Sequence, residues 1–162
     1  MSRSPGASHE PTGRVVDRAE IERRLPHAGT MCLIDAVEAW SADDIVCRAA
    51  AARTGHPLAA SSRDSSEASH GSSPTLQAVT TIEHAAQAVA LHASLVDDTT
   101  APRAGLLATL REVDLSSRPV CGALVVAARL VTRSDAGCLY AFDVRDTRGA
   151  CSSGRLMIAF TP

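Results

Sequence analysis

Glu83 and Gln87 stand one helical turn apart in VTTIEHAAQ and carry the clearest chemical signal in this 162-residue chain. Residues four apart share a helix face. Glu83 falls on the border of an apolar stripe, four residues after Val79 and seven before Ala90. A carboxyl on such a border is partly withdrawn from water, the condition under which a carboxylic acid keeps a proton to give away. General acid chemistry is therefore one expectation for Glu83. The blander alternative is that Glu83 reaches solvent and Gln87 is a surface amide.

Other chemistries drop out on composition. Arg occurs 16 times and Lys and Asn not at all, a bias of GC-rich codons that also removes Schiff-base and Walker-type lysine chemistry. Sixteen basic residues against 18 acidic ones, without a basic stripe, leave no nucleic-acid footprint. No apolar run is long enough for a membrane-spanning helix. MSRSPGASHEPTGRVV lacks the apolar core of a signal peptide, so a cytoplasmic location is expected. Cys32, Cys47, Cys121, Cys138 and Cys151 form no CxxC pair, so they read as reduced core thiols, and no metal or other cofactor is called for.

The elements that must position the acid follow from pattern. Residues 1–16 are rich in Ser, Pro and Gly and are expected to be a disordered tail, with a single domain over 17–162. Asp17 can cap a short helix, RAEIERRL, which Pro26 ends. Strands are expected over Met31–Trp40 and Ile45–Arg53, then a long serine-rich loop over 55–74. A helix follows from about Thr75 to Val96, with Leu76, Val79, Ile82, Ala86, Val89, Ala90, Ala93 and Val96 as its apolar stripe. Four strands close the chain: GLLATLREVDL, GALVVAARLVT, LYAFDVRD and GRLMIAF. Strands grouped around one alanine-rich helix predict an α+β hotdog, a long helix wrapped by a curled antiparallel sheet.

Three segments, in order, resemble the bacterial 3-hydroxyacyl-acyl-carrier-protein dehydratases of the hotdog superfamily. IERRLPHAGTMCLID resembles the family's Leu-Pro-His-Arg opening before a strand ending in Asp. VTTIEHAAQ resembles its Glu-x-x-x-Gln helix, and RPVCGAL its Arg-Pro-Val turn. IEHAAQAVALHASL followed by PRAGLLATLR is most similar to the divergent branch of aryl-polyene gene clusters.

The resemblance implies a hydro-lyase that removes water from a β-hydroxyacyl thioester in fatty-acid or polyene biosynthesis. Glu83 would protonate the departing hydroxyl, and Gln87 would orient acid or substrate. Backbone N–H groups of Ala78 and Val79 would polarise the thioester carbonyl, although Gln77-Ala78 replaces the family's Pro-Gly. The family's base lies in a Gly-His-Phe-Pro loop, which is missing. His70, thirteen residues before Glu83, and His56 are the candidates in its place. His27 matches a structural position, His84 is expected to face a partner subunit or solvent, His92 lies opposite Glu83, and His9 is in the tail. Implied partners are an acyl carrier protein or CoA thioester and a second subunit, as a homodimer or larger hotdog assembly. Arg103, Arg111 or Arg118 would steer an acidic carrier. The scaffold also admits a thioesterase, or a non-catalytic subunit that pairs with an active dehydratase.

Overall fold

The computed structural model describes residues 15–50, 52, 55–59, 75–99 and 105–160. Helix α1 spans Arg18–Arg24, and strands β1 and β2 span Ala36–Trp40 and Asp44–Ala49. The long helix α2, Thr81–Val96, precedes β3 (Gly105–Leu115), β4 (Leu124–Ser134), β5 (Gly137–Asp146) and β6 (Gly149–Phe160). All six strands form one sheet in the order β1-β2-β4-β5-β6-β3, each neighbouring pair antiparallel. Helix α2 packs on β2, β4, β5 and β6, so the sheet wraps it as a hotdog. The core fills the space between them with Ile45, Val89, Leu91, Leu124, Val126, Tyr140, Phe142 and Leu156.

Local chemistry accounts for the ends of the elements. The Asp17 carboxylate accepts the Glu20 N–H at 2.9 Å and so caps α1, while Leu25 before Pro26 turns extended and stops it. Val16 is 1% exposed and bridges Val37. The first strand starts five residues late, because Gly29–Met31 form a 3₁₀ turn that Gly29 enters at φ +62°. The second ends at Ala49, and α2 begins at Thr81 after a 3₁₀ turn over Ala78–Thr80. The last strand is longer than expected, because residues 149–153 pair with β3 and β5 where a turn was expected.

The expected apolar stripe of α2 is met in part: Leu76 and Val89 are 1% exposed, and Ile82 and Ala90 pack against the core. Val79 and Val96 at its two ends are 54% and 37% exposed, whereas Thr81, His84, Ala85, Ala88, Leu91, His92 and Leu95 are buried. Alanines lie on both sides of the helix and mark neither. The polar groups on the true inner face are admitted because they are bonded: Thr81 meets Ser152 at 2.5 Å and His92 meets Tyr140 at 2.7 Å.

Edge strand β3 carries a bulge between Arg111 and Asp114, with Glu112 at φ +52°. Gly154 on β6 makes room for it, since a Cβ there would sit 3.1 Å from the Arg111 and Glu112 carbonyl oxygens. Among the described residues no helix is long and apolar enough to cross a membrane.

Candidate active site

A chain of contacts that begins in α1 holds Glu83. Arg18 donates to the Gly29 carbonyl at 3.1 Å, the Ile34 carbonyl at 3.3 Å and Asp35 at 2.9 Å, which fixes the segment 29–35. The other Asp35 oxygen accepts the Ala50 N–H, tying the segment to the end of β2. The Met31 carbonyl and the Leu33 N–H thereby face α2.

Gln87 reads both of them. Its Oε1 accepts the Leu33 N–H at 2.8 Å, and its Nε2 donates to the Met31 carbonyl at 2.8 Å and to Glu83 Oε1 at 3.0 Å. Only an acceptor can face an N–H and only a donor a carbonyl, so the amide has one possible orientation. Gln87 is 1% exposed, the Glu83 side chain 35%. A buried amide therefore grips one oxygen of a carboxylate whose side chain remains partly open to solvent.

His27 completes the cluster. Its Nε2 lies 3.7 Å from Glu83 Oε1, and its Nδ1 is buried without a hydrogen-bond partner. Its sequence position had pointed to structure alone. The contact is made by the 3₁₀ turn folding the segment back over α2, which no local spacing records.

His84 is 1% exposed and faces inward, not toward a partner or solvent. Its Nδ1 donates to the Thr80 carbonyl at 3.3 Å, and burial pushes the imidazole down to about 4, so the ring stays neutral. His56 stacks on it, with ring centroids 6.2 Å apart and planes 12° from parallel. His56 Nδ1 accepts the Leu58 N–H at 3.2 Å, and burial lowers this imidazole too. The neutral His56 ring therefore carries its proton on Nε2 and presents a donor. His70 and Arg103 lie outside the described residues.

Ala78 and Val79 form the turn that opens α2, where N–H groups have no acceptor within the helix. Arg118 is not free to steer a carrier: it forks onto Asp146 at 2.6 and 2.9 Å and holds that carboxyl well below the usual carboxylate range. Arg111 is exposed on β3. Burial pushes the Cys32, Cys47, Cys138 and Cys151 thiols up, Cys47 to about 12, which leaves them without thiolate character. Among the described residues no group of three or more His, Cys, Asp or Glu is placed to hold a metal ion.

A sequence profile of the ApeP-like family, described as ApeP dehydratase, matches residues 19–162. The chain belongs to the ApeP-like dehydratase family. Glu83, Gln87 and His27 all lie within the matched residues. Among solved structures the fold is similar to the dehydratase heterocomplex ApeI:P from Xenorhabdus doucetiae, with a TM-score of 0.70 and 20% identity over 88% of this chain and 91% of that one. Two thioesterases share the scaffold more distantly. One from Staphylococcus aureus has a TM-score of 0.56 and 11% identity over 78% of this chain and 92% of its own. One from Pseudomonas aeruginosa has a TM-score of 0.52 and 14% identity over 80% and 81%. No curated protein matches the sequence.

Proposed function

We propose that this ApeP-like dehydratase removes water from a 3-hydroxyacyl thioester carried by an acyl carrier protein, in fatty-acid or polyene biosynthesis. The observation that carries the reading is the Glu83 carboxyl, gripped at one oxygen by the buried Gln87 amide and otherwise partly open. A histidine base takes the α-proton, the C–H electrons form the α,β double bond, and the β-hydroxyl departs with the Glu83 proton as water. The Ala78 and Val79 N–H groups receive the charge that gathers on the thioester oxygen, aided by the α2 dipole. His70 is the first candidate for the base. His56 is the second, and would have to give up the Leu58 N–H before accepting a proton at Nδ1.

The reaction would run in the cytoplasm, in an assembly formed through β3. Leu106, Leu107, Leu110 and Leu115 are exposed along that edge strand, an arrangement that favours pairing with a second hotdog chain. The Xenorhabdus protein is a heterocomplex, which supports an assembly in which the partner is a different dehydratase subunit; a homodimer is the alternative.

The test is to offer a 3-hydroxyacyl carrier-protein thioester to the purified chain and follow enoyl product and free thiol. Enoyl formation that falls about 10²- to 10⁴-fold in Glu83→Gln and in either His70→Ala or His56→Ala is the expected result. Thiol release without enoyl product would assign a thioesterase instead. Turnover that appears only when a second hotdog subunit is added would assign the role of obligate partner.

A further inference from the structure

The imidazole beside Glu83 stands at the entrance to a turn that has other anchors. His27 follows Pro26 and leads into the 3₁₀ turn at Gly29–Met31, which Arg18 and Gln87 already fix from two sides. Its Nε2 approaches the same carboxylate oxygen that Gln87 grips, and both side chains are similarly open, 38% for His27 and 35% for Glu83. Its Nδ1 is buried and unpartnered, an uncompensated loss of hydration. An arrangement that costs stability beside a reactive carboxyl fits a service to that carboxyl.

We infer that His27 is the positioning residue of Glu83: with Gln87 it holds Oε1 and leaves Oε2, with its proton, for the substrate. This rests on the dehydration reading above. The 3.7 Å separation closes by a small tightening when substrate binds, or is bridged by one water. The other ionisable groups on the 27–35 segment and α2 are Cys32, Asp35, which pairs with Arg18 at 2.9 Å, His84, which burial keeps neutral, and His92.

The test compares wild type with His27→Phe and His27→Gln, with Glu83→Gln as reference. His27→Phe is expected to lower kcat about tenfold or more while KM stays within about twofold. His27→Gln restores an N–H near the Nε2 position and should recover most of the lost kcat. Phe and Gln variants equally impaired would overturn the proposal, as would a His27→Phe enzyme indistinguishable from wild type. Thermal melts show whether either variant fails to fold. If wild type shows no dehydration, the pairing is read by ¹⁵N NMR of the His27 ring. A tautomer set by Glu83 in wild type and lost in Glu83→Gln keeps the pairing and discards only the reaction. Identical tautomers in the two proteins overturn the pairing itself.

Discussion

The two halves of α2 bury polar side chains in opposite ways. In the C-terminal half every polar contact closes on itself. His92 donates from Nε2 to the Ser41 carbonyl at 3.0 Å and accepts from the Tyr140 hydroxyl at Nδ1 at 2.7 Å. Arg24, paired with Glu20 at 3.0 Å, donates to the Ser94 and Thr99 carbonyls at 3.1 Å each, which satisfies the helix end with a cation. In the N-terminal half the network is left open. Glu83 stays partly exposed, His27 keeps an unpartnered nitrogen, and His56 offers Nε2–H beside a neutral His84. Satisfied groups hold a fold together; groups left short of partners are the ones a substrate can complete.

The sharpest way to break this contrast is to substitute once in each half. Glu83→Gln keeps an acceptor for the Gln87 N–H, so stability should move by no more than about 0.5 kcal/mol while dehydration nearly disappears. His92→Leu leaves the Tyr140 hydroxyl and the Ser41 carbonyl buried without partners, and should cost about 2–4 kcal/mol in urea unfolding. Surviving His92→Leu molecules should keep KM near wild type. A Glu83→Gln protein that loses as much stability as His92→Leu would show that the open half is structural too.

A second contrast is in pH. Burial holds His84 down at about 4 in the fold, whereas the unfolded ring has its ordinary value near 6.5. Above about 6.5 neither state binds the proton and the stability is fully present. As pH falls from there toward about 4 only the unfolded chain takes it up, so stability declines by up to about 3 kcal/mol and then levels. His92, lowered by burial as well, acts in the same direction. His84→Asn should flatten the fall between pH 7 and pH 4.5, measured by urea melts; an equal fall in the variant would remove His84 as its source.

Element order was legible from the residues because turn chemistry and strand alternation are local: the short helix after Asp17, two strands, the long helix and four strands all stand. The inner face of α2 was legible only in part. Leu76 and Val89 are buried where the stripe put them, but the buried polar positions are decided by partners distant in sequence, Tyr140 and Ser152 on strands and Ser41 in the turn between β1 and β2. Glu83 and Gln87 were visible as an i, i+4 pair, and the contact between them is made. His27 was hidden because its approach depends on a 3₁₀ turn held by Arg18 from another helix. The one available signal was Gln87 itself, since a buried amide four residues from an acid demands partners from somewhere.

The smallest effect tests how far α1 sets the site. Asp17→Ala removes the cap on the Glu20 N–H and should cost about 1 kcal/mol. The consequence for chemistry depends on Arg18, the next residue, whose guanidinium fixes Gly29, Ile34 and Asp35 and through them the Met31 and Leu33 groups that orient Gln87. Fraying the first turn loosens Arg18 without touching Glu83, so kcat should drop about twofold and recover when Asp17 is replaced by Ser, another good cap. Arg18→Ala, which cuts the chain of contacts one link later, should lower kcat more than Asp17→Ala at a similar loss of stability. If both variants lose stability with no change in kcat, the 29–35 segment holds its place without α1, and the open half of α2 is organised by Gln87 alone.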